Sequence, residues 1–244
     1  MSYFGLGLIS GGSPGNDAFT KILLHFDGAN GSQTFTDSNA GGTSKTWSVI
    51  GGVANTTLTT SGQKFGTAAL SLPFLVNVDA ITTPYSADFN FGSQDWTIDF
   101  WYTPNVSSAS TSGLCGIGDE LALANVALMI WRNSGGTLTA SMCNTSASVF
   151  SVTSTTTFTT AVQRHIAFVR TGNTIKLFID GVQEGGNVSV SGSIPNMTGY
   201  PFRVGAAGSS AVHTKAFGIY DEFRLSVGIA RWTANFTPPT SAYT

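Results

Sequence analysis

Only 10% of the 244 residues are charged, against roughly 25% in an ordinary soluble protein, and the formal net charge is -2. The 11 Lys and Arg are scattered, so no dense basic patch exists to neutralise phosphates, and nucleic-acid binding is excluded. Ser, Thr, Asn and Gly stand where Lys and Glu usually do, which favours strands and turns over helices and leaves a surface of hydroxyls and amides.

In chain order, residues 1–10 read MSYFGLGLIS, an apolar, glycine-spaced segment whose side chains are Tyr3, Phe4, Leu6, Leu8 and Ile9, and 11–16 read GGSPGN, a flexible linker. Residues 1–16 are read as an anchoring arm, lying along the domain's own edge or docked on another subunit, and 17–244 as the domain. No basic region precedes a long apolar run, so no signal peptide is expected. No stretch approaches the roughly 18 to 20 apolar residues of a membrane span.

From Lys21 onward, short apolar runs are broken by Gly, Asn, Asp, Ser and Thr, the spacing of an all-β sandwich or barrel. Strands are predicted at 22–26, 96–103, 127–131, 137–143, 165–170, 174–180, 202–205 and 218–225, with weaker signals near 47–50, 68–72 and 76–78. Gly172-Asn173 and Asp180-Gly181 sit where tight turns need positive φ, which gives two consecutive hairpins and antiparallel pairing. A hairpin around Ser134-Gly135-Gly136 sets Cys143 opposite the start of its first strand and leaves Cys115 on a strand pairing with the other side, so two unlinked, buried thiols are expected.

Alternation then sorts the faces. Trp96 and Trp101 point to opposite sides of one strand. On 218–225, Ile219, Asp221, Phe223 and Leu225 share the apolar side, so Asp221 there needs an ion partner, several donors or a metal. His25, His165 and His213 are far apart and lie beside no nucleophile motif, and the glycines of 4–12 neither follow a strand nor open a helix, so neither nucleophilic catalysis nor nucleotide binding has support.

Leu23-Leu24-His25-Phe26-Asp27-Gly28, Lys64-Phe65-Gly66, Asp95-Trp96-Thr97-Ile98-Asp99-Phe100-Trp101, His165-Ile166-Ala167-Phe168-Val169-Arg170 and Leu177-Phe178-Ile179-Asp180-Gly181, in that order, resemble the concanavalin-A-like lectin/glucanase superfamily in its laminin-G-like branch. The tail from Tyr220 to Pro239 resembles the ending of many phage-encoded members. The resemblance covers nearly the whole chain after Asp17. It implies a two-sheet antiparallel jelly-roll sandwich with an extended N-terminal arm, in a structural protein of a virus particle: a capsid decoration, head fibre or tail component. Its partners would be other virion proteins gripped through the arm, in a homo-oligomer for which a trimer is a common arrangement.

Glucanases of the superfamily carry two carboxylates on one strand, projecting into one groove. Here Asp99 stands alone on its strand, while Glu120 follows Asp119 and Glu222 follows Asp221 directly, so each pair points to opposite faces. A non-enzymatic role is therefore expected, with a glycoside hydrolase centred on Asp99 the least supported alternative. A glycan-binding module for host-surface attachment is the alternative with more support. Trp47, Tyr85, Trp101 and Trp131 are the candidate stacking platforms, unless they pack the sandwich. Many members hold structural calcium, and Asp27 and Asp221 could share such an ion, although Asp221 could equally pair with Arg170 or Arg224.

Overall fold

The computed structural model describes residues 15–50, 55–73, 80–105, 111–119, 126–159, 161–208 and 217–244. The predicted arm with Tyr3, Phe4, Leu6, Leu8 and Ile9, the predicted strand at 76–78, Glu120 and His213 lie outside these residues. Among the described residues fifteen strands are formed: β1 (Thr20–Leu24), β2 (Ser48–Val49), β3 (Thr57–Thr59), β4 (Ala69–Leu72), β5 (Ile81–Thr83), β6 (Trp96–Pro104), β7 (Ser112–Gly118) and β8 (Val126–Arg132), then β9 (Thr137–Cys143), β10 (Val149–Thr157), β11 (Arg164–Thr171), β12 (Thr174–Ile179), β13 (Val182–Ser189), β14 (Phe202–Val204) and β15 (Gly218–Val227).

They build two antiparallel sheets. Sheet A has eight strands in the order β13-β12-β11-β6-β15-β4-β3, with β1 also pairing with β15; sheet B has seven, in the order β10-β9-β8-β7-β14-β5-β2. The long β15 pairs with β6 along one edge, while its other edge is shared by β4 at 218–220 and by β1 at 223–226. First and last strands are thus neighbours, as a jelly roll requires.

Strand alternation places the core between the sheets. Trp96, Ile98, Phe100 and Tyr102 of β6 face inward against Leu128 and Ile130 of β8, Leu138 and Met142 of β9, and Phe202 of β14. Each fully buried Leu, Ile or Phe contributes roughly 1.5–3 kcal/mol. Phe223 joins the layers, its ring 5.3 Å from Phe100 and 6.0 Å from Phe202. Cys115 and Cys143 are free, buried thiols, and burial pushes the Cys115 thiol up, so it stays protonated.

Both predicted turns are present. Thr171 pairs with Thr174 across Gly172-Asn173, with Gly172 at φ 55, and Ile179 pairs with Val182 across Asp180-Gly181, at φ 51 and 77. The first strand ends at Leu24 rather than at the predicted Phe26, because Phe26 takes φ 58 and turns the chain out of the sheet. At one side of the sandwich β10 meets β13: the Glu184 carboxylate accepts from the amide and hydroxyl of both Thr155 and Thr156. At another point the two described ends of the chain meet, where the Asn16 amide donates to the Thr244 carbonyl at 3.0 Å.

Candidate functional site

On the outer side of sheet A, β6 presents Thr97, Asp99 and Trp101, and residues 229–244 cross over the first two. Trp232 and Phe236 stack at 4.1 Å with their planes 9° apart, and both meet the His165 ring edge-on at 5.6 and 5.7 Å. The Arg231 amide donates to Thr97 Oγ1 at 2.9 Å. Its guanidinium grips Asp17 at 2.7 and 2.9 Å and Ser226 at 2.7 Å. Beneath this strap Asp99 is fully buried. Arg224 donates to its two oxygens at 3.0 and 3.1 Å, the Tyr243 hydroxyl donates to Oδ2, and His165 Nε2 lies 3.5 Å away. The Arg224 guanidinium also lies 3.6 Å from the Tyr243 ring centre.

Burial alone would raise the Asp99 carboxyl, but Arg224 and His165 outweigh it and hold the group below the usual carboxylate range. A glycosidase acid needs the reverse, a raised pKa and access to a leaving group. Asp99 is therefore a clamp for the C-terminal segment.

The expectation that Asp221 points to the core is overturned. Glu222 takes φ 50 and the β15–β6 register shifts between Asp221 and Arg224, a bulge that resets the alternation. Tyr220 faces inward before it, and Phe223 and Leu225 after it. Asp221 and Glu222 thus both escape the core. Glu222 accepts from the Tyr243 amide at 3.1 Å and pairs with His25 Nδ1 at 2.8 Å, which raises the His25 pKa.

Asp221 and Asp27 converge on a single segment. Asp221 Oδ2 accepts from the amides of Lys64 and Phe65 at 2.5 and 2.9 Å, Oδ1 accepts from the Glu222 amide at 2.9 Å, and Asp27 Oδ1 accepts from the Thr67 amide and, at 2.9 Å, from its hydroxyl. The pair therefore fastens segment 64–67. Burial pushes Asp221 up to about 7 in spite of its three donors. Arg224, one of its two expected partners, pairs with Asp99 instead, and Arg170 donates to the carbonyls of Gly92, Gly172 and Gly192. Among the described residues no group of three His, Cys, Asp or Glu side chains is placed to hold a metal ion.

The four aromatic candidates do not converge. Trp101 is 6% exposed on the outer side of sheet A, under the Lys64 ammonium at 3.9 Å and edge-on to Phe65 at 6.2 Å. Trp47 is also 6% exposed and packs edge-on against Phe202 at 6.4 Å. Tyr85 meets Phe89 at 6.4 Å and forms one wall of a hollow of about 270 Å³ with Thr43, Ser44, Thr46 and Ser86. Trp131 stands on the outer side of sheet B in a row that crosses four strands: Gly113, Trp131, Thr139 and Thr153. Its Nε1 donates to Asn133 Oδ1 at 3.0 Å, Asn133 Nδ2 donates to Thr139 Oγ1 at 2.9 Å, and the two threonine hydroxyls bond each other at 2.9 Å. A half-buried indole and amide, the buried Thr139 hydroxyl and the exposed Thr153 hydroxyl thus form one connected, hydrogen-bonded surface.

A sandwich of two antiparallel sheets with the last long strand beside the first is the architecture of lectin-like jelly rolls. A profile of the concanavalin A-like lectin/glucanases superfamily matches residues 76–228, and the chain belongs to that superfamily. No curated protein sequence matches it. Among solved structures it is similar to the binding domain of Paraclostridial Mosquitocidal Protein 1, with a TM-score of 0.63 and 16% identity over 87% of this chain and 50% of that one. The ligand-binding domain of botulinum neurotoxin serotype D, solved with N-acetylneuraminic acid, gives 0.59 and 11% over 88% and 49%. Domain 4 of AbnA, an extracellular arabinanase from Geobacillus stearothermophilus solved with arabinotriose, gives 0.58 and 16% over 86% and 94%. The chain thus spans about half the length of the toxin binding domains it matches. At these identities the likeness is one of fold.

Proposed function

We propose that this chain is a non-catalytic, lectin-like module that binds surface glycans through the outer side of sheet B around Trp131. The observation that carries the reading is the row Gly113–Trp131–Thr139–Thr153. It offers an indole ring beside a hydrogen-bonded field of amide and hydroxyl groups, with a glycine next to the ring. Sugars are held by such surfaces, a ring for the apolar pyranose face and polar groups for the hydroxyls. The sealing of Asp99 under residues 229–244 argues against hydrolysis, and the toxin and arabinanase domains of the same fold, solved with sugars, support binding. A glycan array run with and without calcium tests the reading. Binding that falls at least tenfold in Trp131→Ala, with the fold intact, supports it; a silent array sinks it. The calcium arm also tests whether Asp27 and Asp221 take up an ion.

The setting we propose is a virus particle, with Tyr3 to Ile9 anchoring the module. The apolar segment followed by the stretch GGSPGN and the phage-like tail sequence support this. Removal of residues 1–15 should abolish incorporation into particles and leave the domain folded; particles that still carry the shortened protein would refute the anchor.

A further inference from the structure

Where the chain crosses from β5 to β6, two hollows flank the 3-10 turn Ala87–Phe89. The Tyr85 hollow is one of them. The other, of about 380 Å³, is lined among others by Phe19, Lys21, Asp88, Asn90, Gln94 and Gly228. Phe19 is 42% exposed, whereas the other aromatic rings among the described residues are buried or half-buried, so its position on the rim needs a reason. Gly228, at φ 95, supplies one. A Cβ there would meet the Phe19 ring at 3.0 and 3.3 Å and Gln94 Oε1 at 3.7 Å, so the glycine keeps the ring and the amide side by side with an open approach.

The polar groups around the ring are half used. Asp88 Oδ2 accepts from the Thr43 amide at 2.9 Å and from Lys45 at 2.5 Å, whereas its Oδ1 has no hydrogen bond among the described residues. Asn90 Oδ1 accepts from the Tyr85 hydroxyl, which leaves its NH₂ as a donor. Gln94 donates to the Asn90 carbonyl at 3.3 Å and keeps its own oxygen as an acceptor. Two acceptors and a donor beside one aromatic ring match vicinal hydroxyls, each of which gives one hydrogen and accepts others. Charge narrows the class further. The Lys21 ammonium donates to the carbonyls of Ala18 and Gly41, and Lys45 to Asp88 and the Lys21 carbonyl, so each cation spends two of its three N–H donors within the chain, while Asp88 lines the hollow.

We propose that this hollow is a second sugar site, which takes a neutral pyranose with vicinal hydroxyls, its apolar face on Phe19 and its hydroxyls on Asp88, Asn90 and Gln94. The proposal rests on the lectin-like reading but not on the Trp131 surface. The Tyr85–Asn90 hydrogen bond joins the two hollows across the turn, so a neutral oligosaccharide is the ligand class that fills both.

The test uses the full chain, isotopically labelled for amide NMR and titrated with maltotriose, mannotriose, arabinotriose and, as an anionic control, 3′-sialyllactose. The expected result is that at least one neutral trisaccharide shifts the amides of Phe19, Gln94 and Gly228. Phe19→Ala should weaken that binding at least tenfold, Phe19→Trp should preserve it, and sialyllactose should bind more weakly. Shifts confined to other residues, unchanged affinity in Phe19→Ala, a preference for sialyllactose, or no binding of any of the four overturns the proposal. Binding that survives Phe19→Ala and is lost in Trp131→Ala removes this site and leaves the lectin-like reading standing; a silent glycan array removes both.

Discussion

The outer side of sheet A and the end of the sandwich at Ala87–Phe89 are built from similar residue types and do opposite things with them. Under residues 229–244 the charged groups are engaged by one another and by the chain's end: Asp99 with Arg224 and Tyr243, Glu222 with His25 and the Tyr243 amide, and Arg231 with Asp17. At the sandwich end, Asp88, Asn90 and Gln94 each spend only part of their hydrogen-bonding capacity, and the aromatic ring beside them faces water. Full satisfaction makes a fastening, whereas partial satisfaction beside an exposed ring leaves room for a ligand. In this chain, strongly placed carboxylates are therefore a poor guide to function, and half-engaged amides a better one.

That contrast can be broken most severely at Arg224. Arg224→Met leaves Asp99 buried without its cation, a change that costs about 3–5 kcal/mol when a buried pair loses one partner. A chain of this size should then melt roughly 10 °C lower by circular dichroism, at about 2–4 °C per kcal/mol. A melting point within 2 °C of the parent would mean that the network does not hold the face closed.

Asp221 offers a smaller, pH-dependent break. Its folded pKa of about 7 lies above the unfolded value of 3.8, so between those limits the folded chain keeps a proton that the unfolded chain releases. The associated stability is complete below about pH 4 and is lost as the pH rises through about 7. Asp221→Asn cannot lose that proton, so the parent's melting temperature should fall relative to the variant's across this window. Parallel curves would show that the three amide donors keep Asp221 ionised throughout.

Phe19→Ala sharpens the comparison by doing almost nothing to the fold. An exposed ring away from the core should change stability by less than about 0.5 kcal/mol, checked by the same thermal melt that accompanies the sugar titration. A large loss of stability would place Phe19 among the packing residues instead.

What could be read in advance follows from how local the determining interactions are. The hairpins around Gly172-Asn173 and Asp180-Gly181 were legible because two adjacent residues fix each turn. The opposite faces of Trp96 and Trp101 followed from period 2 alone. The fate of Asp221 was not legible, since nothing in Tyr220-Asp221-Glu222-Phe223 marks Glu222 for a left-handed conformation, and one extra residue at the bulge reverses the alternation. Strands β10 and β13 carry too many Ser, Thr, Gly and Asn residues to show an apolar period, because much of their surface stays exposed. The pairing of Asp99 with Arg224 joins residues 125 positions apart and leaves no local trace. The cover over Asp99 did leave one, the aromatic residues Trp232, Phe236 and Tyr243 in a segment that also carries Pro238-Pro239. The candidate platforms were identifiable as aromatics, but their dispersal over both outer sides and the end of the sandwich is a property of the three-dimensional fold.

The meeting of Asn16 with Thr244 gives the module a single corner of attachment. Residues 15–16 lie beside Thr244, so a cargo fused after Thr244 would start next to the point where the described chain begins. A circularly permuted version, with the old ends bridged by a short Gly-Ser link and new ones opened at Gly135, where nothing lies within 4 Å of an added side-chain carbon, should assemble the same sandwich. Such a rearrangement could present either outer side of the sandwich to a chosen support.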